Sequence, residues 1–142
     1  MITISILGLD QYVVGHYSKD HSHNIADLYE VSEDDLLFYA PSSYLFHKGV
    51  EQTSWNCIVR VNAPVEYKSA QARIAKYILD TLHDFCINVY VEFTYIDSKD
   101  TYEYISKEYP HFITEENMVS VDEPDSSNVL NDIFAGIGDE NN

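Results

Sequence analysis

At 142 residues, 45% of them hydrophobic, the chain suits one globular domain able to bury a real core. Its formal charge of −16 argues against phosphate backbones and anionic lipid surfaces as main partners, so neither nucleic acid nor a membrane is expected. Six of the acids follow Met118 with no Lys or Arg among them, which leaves the body before that point with eighteen acids against eight bases.

No apolar run approaches the roughly 20 residues of a membrane-spanning helix, and the start of the chain has neither a basic leader nor a cleavage pattern. A cytoplasmic protein is the expectation. Cys57 and Cys86 lack metal-ligand spacing and read as two reduced, buried thiols.

Ile2-Thr3-Ile4-Ser5-Ile6-Leu7 alternates, and Gly8 and Asp10 close it, so residues 2–9 are predicted to be a strand. From Gln11 to Tyr29, Val14, Tyr17, Ile25 and Leu28 recur at helical spacing, with His21 on the same stripe. Ser32 with Asp35 suggests a cap or turn before a second strand over 35–40, which Pro41 breaks. Tyr44-Leu45-Phe46 makes a short extended piece before Gly49.

The second half repeats the first. Trp55 to Val61 is β-branched and apolar, giving a strand over 54–61 that Pro64 stops. Residues 66–85 place Ile74, Ile78, Leu82 and Phe85 on one side and charged groups on the other, as in an amphipathic helix. Over 88–96, Val89, Val91, Phe93 and Tyr95 alternate with Tyr90, Glu92 and Thr94. Two tandem β-α-β units with right-handed crossovers give an α/β (α+β) domain, a four-stranded mixed sheet with both helices on one face. Its other face then needs a cover, and oligomerisation supplies one.

Beyond the second unit, Thr101 to Phe112 is rich in aromatics: Tyr102, Tyr104, Tyr109 and Phe112. The domain is expected to span 1–118, followed by an acidic tail over 119–142. Asp122 to Ser127 reads as a linker, and Val129, Leu130, Ile133, Phe134 and Ile137 then recur at helical spacing. A short amphipathic helix over 128–137 would dock on its own assembly or in another protein's groove, with Val129, Leu130, Ile133 and Phe134 as the partner-binding residues.

His16, Asp20 and His23 fall at i, i+4 and i+7, one helical face, but nothing supplies a further ligand or supporting shell. They read as a solvated polar face. No metal or cofactor is expected, and nucleophile-elbow, phosphate-loop and zinc-ribbon patterns are missing.

The strand from Ile2, the Leu36-to-Phe46 strand with its break and Gly49, and the Val89-Tyr90-Val91-Glu92-Phe93 strand after a helix resemble the tautomerase superfamily, which includes macrophage migration inhibitory factor. The resemblance covers about residues 1–112 and is nearest the uncharacterised bacterial branch of unknown function. It implies a homotrimer whose sheets face a central axis, with pockets at subunit boundaries near each N-terminus, and it places Thr101 to Phe112 across a neighbouring subunit. The family's chemistry uses an N-terminal proline, exposed by loss of the initiator Met, as a general base that moves a proton α to a carbonyl. Here position 2 is Ile.

The resemblance implies pocket positions near Arg60, Asn62, Tyr90 and Glu92. Arg60 would clamp the carboxylate of a small ligand, with Asn62 and Tyr90 beside it. Met1, through its α-amine, and Glu92 are the candidate bases. The expectation is a proline-less tautomerase-fold protein, non-catalytic and trimeric, that binds or assembles. The alternative is a weak isomerase acting on a small carbonyl acid with a different base.

Overall fold

The computed structural model describes residues 1–118. The expected tail helix, with Val129, Leu130, Ile133 and Phe134, lies outside the described residues. The chain divides into two compact units, Met1–Ile105 and a second that begins at Ser106.

In the first unit, strand β1 (Ile2–Leu7) leads into helix α1 (Gln11–Tyr29) and strand β2 (Leu36–Tyr39). A small hairpin follows, β3 (Phe46–His47) and β4 (Val50–Glu51), and then β5 (Asn56–Pro64), α2 (Gln71–Leu82) and β6 (Asn88–Ile96). The main sheet runs β2-β1-β5-β6. β1 pairs parallel to β2, β5 pairs parallel to β6, and the two units meet antiparallel through β1 and β5. This is the mixed four-stranded sheet that two tandem β-α-β units predict.

Each element has a local cause. Asp10 caps α1 by accepting from the Tyr12 N–H at 2.8 Å, and Glu30 ends it in the left-handed region at φ 58°. Lys48 and Gly49, both at positive φ, turn the hairpin in two residues. Ser32 caps the turn over Glu33–Asp35 through the Asp34 N–H, as its spacing suggested.

The core lies between the sheet and the helices. Ile2, Ile4 and Ile6 from β1 and Cys57, Val59, Val61 and Ala63 from β5 are almost wholly buried there. Val14, Tyr17 and Ile25 of α1 and Ile74, Ile78 and Leu82 of α2 cover them. Between the helices, the Tyr17 hydroxyl pairs with Thr81 Oγ1 at 2.8 Å, and Tyr77 meets His21 Nδ1 at 2.6 Å while accepting from Asn24 Nδ2 at 2.9 Å. Burial pushes the Tyr17 phenol up to about 12, against the lowering effect of its Thr81 bond. The Cys57 thiol is likewise pushed up by burial, with its neighbour Cys86 adding to the shift.

β5 starts at Asn56 and runs through to Pro64 where a strand over 54–61 is expected, and both ends of the second helix differ from the sequence reading. The expected helix over 66–85 begins as a 3₁₀ segment, Val65–Ala70, and is α-helical only over Gln71–Leu82. Pro64, without side-chain cap, leads into that tight first stretch. Phe85, placed on the buried stripe, is instead exposed in the turn after Leu82, because the helix stops before the stripe returns to that side. The second unit begins with turns in which Asn117 accepts from the Thr114 N–H and donates to the Phe112 carbonyl.

Candidate functional site

Strand alternation sends Thr3, Ser5 and Leu7 to the face opposite the helices, and the register builds three rows across the sheet there. The first is Leu37, Thr3, Asn62, Thr94; the second is Tyr39, Ser5, Arg60, Glu92; the third is Leu7, Ile58, Tyr90. No helix of the described residues covers this face. Leu37, Tyr39 and Tyr90 are exposed at 45%, 53% and 60%, fractions that set this face apart from the buried one.

The middle row carries the charge. Arg60 donates from Nε to Glu92 Oε1 at 2.5 Å, and both side chains remain more than half exposed. Ser5, next in the row, is buried with no partner for its hydroxyl among the described residues. Four of the residues proposed from sequence, Arg60, Asn62, Tyr90 and Glu92, thus share one face. Their spacing along the strands separates them: Asn62 and Tyr90 stand two rows apart, and Met1 lies four positions before Ser5 on β1, roughly 13 Å from the Arg60 row. Within one chain, Arg60 is held by Glu92 and does not face the Met1 end. Ile2, the residue after Met1, lies in the core and is 1% exposed.

His23 of α1 takes acidic partners of its own. It meets Asp27, one turn further along the helix, at 3.3 Å and Glu33 at 3.1 Å.

A cleft of about 310 Å³ opens at the opposite end of β1, roughly 23 Å from Met1 along the strand. It is walled by the β1–α1 turn, the stretch after β2 and the base of the hairpin, and includes Asp10, Tyr44 and Glu51. None of Met1, Arg60, Asn62, Tyr90 or Glu92 lines it. Sequence reasoning missed this cleft. Its one local signal is Gly8-Leu9-Asp10, a glycine and a helix cap at the carboxyl end of a strand whose crossover helix starts at once, a common location for ligands in α/β sheets.

No protein-family model matches the chain, and no curated protein matches it in sequence. Solved structures do match. A domain of unknown function (DUF1904) from Sebaldella termitidis is similar at 17% identity, over 72% of this chain and 95% of that one, with a TM-score of 0.57. A protein of unknown function from Vibrio cholerae is similar at 15% identity, over 72% and 83% of the two chains, with a TM-score of 0.60. A macrophage migration inhibitory factor-like protein from Entamoeba histolytica is similar at 11% identity, over 72% and 93%, with a TM-score of 0.55. Together with the strand order and the two crossovers, these likenesses establish that the chain has the tautomerase-like fold of macrophage migration inhibitory factor.

Proposed function

We propose that this chain is a trimeric binding or assembly protein of tautomerase-like fold, with no proline-dependent catalysis. The observation that supports it best is the uncovered sheet face, where Leu37, Tyr39, Tyr90 and Ile96 surround a single ion pair. A face of this kind, with exposed leucine, isoleucine and tyrosine side chains around a neutralised charge pair, suits contact between copies better than contact with water. The exposed Tyr102 and Tyr104 are proposed to reach across a neighbouring copy. The apolar spacing read at Val129, Leu130, Ile133 and Phe134 is proposed to dock on the assembly itself, with a partner protein's groove as the other destination.

A second reading, a weak isomerase acting on a small carbonyl acid, is favoured by one feature. Arg60 keeps its guanidinium more than half exposed on the open face, so a carboxylate at a boundary between copies could share it with Glu92. Asn62 and Tyr90 would then flank that ligand, with Met1 from another copy or Glu92 as the base. Light scattering during size exclusion at micromolar concentration tests the first reading, with a mass of three chains expected. The second is tested with enolised phenylpyruvate. The parent is expected near background, and strong turnover that vanishes in Arg60→Ala would replace the binding reading with the enzymatic one.

A further inference from the structure

The cleft at the end of β1 is independent of the open face, and its chemistry is one-sided. Its lining holds two carboxylates, Asp10 and Glu51, the hydroxyls of Ser42, Ser43, Tyr44 and Thr53 and the amide of Gln11, and among the described residues it holds no Lys, Arg or His. In a chain of formal charge −16, such a lining repels carboxylates, phosphates and sulfates and favours cations. The volume, about 310 Å³, is at the lower end of the roughly 300–1,000 Å³ typical of small-molecule sites.

The walls are held in place by the backbone. Gly8 sits at φ +91° with the Asn56 carbonyl only 2.5 Å from where a Cβ would stand, so β1 and the start of β5 approach too closely for a side chain. The Ser54 N–H donates to the Gly8 carbonyl at 2.9 Å, and the Gln52 N–H donates to the Leu45 carbonyl at 2.8 Å. These bonds fix the hairpin base against the end of β1. The two carboxylates are each anchored through one oxygen, Asp10 by the Tyr12 N–H and Glu51 by the Thr53 hydroxyl. Asp10 Oδ2 and Glu51 Oε2 are thereby left as acceptors, without protein partners among the described residues.

Two acceptors of negative charge, four hydroxyls, an amide and an aromatic ring match a ligand with one ammonium group and several hydroxyls. The carboxylates would take the ammonium in charge-assisted hydrogen bonds. The serine hydroxyls and Gln11 can each both donate and accept, as sugar hydroxyls require. Tyr44, 66% exposed at the rim, offers a flat face to a sugar ring or cation. We propose that this cleft binds a small polyhydroxylated amine of the amino-sugar class.

The test uses the full chain and three sugars of one shape but different charge: glucosamine, glucose and glucuronate. Amide chemical shifts are followed by NMR at slightly acidic pH, where the amine is charged. Glucosamine at millimolar concentration is expected to move the Gly8, Gln11 and Thr53 amides, glucose to move them less, and glucuronate not at all. Asp10→Asn keeps the helix cap, since Asn caps as well as Asp, and Glu51→Gln keeps an acceptor for Thr53. Each is expected to weaken glucosamine about tenfold, with the circular dichroism unchanged. Silent amides at these positions, equal responses to all three sugars, or full affinity in both variants would each overturn the assignment.

Discussion

The two faces of the sheet are built from the same four strands, residue by residue in alternation, yet they have opposite characters. On the helix side, Ile4, Ile6, Cys57 and Val59 have no exposed surface at all. On the other side, one residue away in each strand, Tyr39, Arg60 and Tyr90 are mostly exposed, and among the described residues Ser5 is the one polar residue there that is fully buried. Burial on the first face comes from within the chain. The second face has comparable aromatic content but nothing in the first unit to pack against, which is why it, and not the helix layer, carries the proposed association.

If that contrast is right, the largest loss comes from the covered face. Ile78→Ala removes a fully buried side chain between α2 and the sheet and is expected to cost about 4 kcal/mol in urea unfolding. A loss below about 1 kcal/mol would mean the helix layer is loosely packed. Where β1 leaves the sheet, Gly8→Ala must place a Cβ against the Asn56 carbonyl at positive φ, and a loss of about 2–3 kcal/mol is expected in the same measurement.

Alkaline titration reports on the covered side as well. The Tyr17 phenol is raised in the folded state to about 12, so its neutral form favours the fold. Its contribution is complete below the unfolded value near 10 and is lost as pH rises from there towards about 12, by about 3 kcal/mol. Ultraviolet absorbance should show Tyr17 ionising late, towards pH 12, and Tyr17→Phe should flatten this part of the stability profile. The smallest effect lies on the open face. In a dissociated chain, a double-mutant cycle on Arg60 and Glu92 should give a coupling below about 1 kcal/mol, because both groups are solvated. A larger value in the assembled protein would show that association desolvates the pair.

Sidedness was legible in the sequence because alternation is a local property. Ile2-Thr3-Ile4-Ser5-Ile6 and Val89 to Tyr95 show it without any partner in view. A four-stranded sheet with both helices on one side followed from the handedness of two crossovers. What was not legible depends on register and on distant approach. Arg60 meets Glu92 because β5 and β6 pair at those positions, and an offset of two residues would have left each without the other. The cleft joins Asp10 to Glu51 through the hairpin base, and no periodicity reports an approach of that kind. Phe85 was misplaced because helical spacing continues on paper after the helix has ended at Leu82.

The claim that the open face joins copies of this chain is tested most directly by placing charge on it without touching the core. Leu37 and Tyr39 stand in the first and second rows of that face, with their side chains exposed in the single chain. The double variant Leu37→Glu, Tyr39→Glu, weighed by light scattering beside the parent, should fall from three chains to one and keep the parent's circular dichroism. A variant that keeps the parent's mass would contradict the account, since the association would then run through another surface.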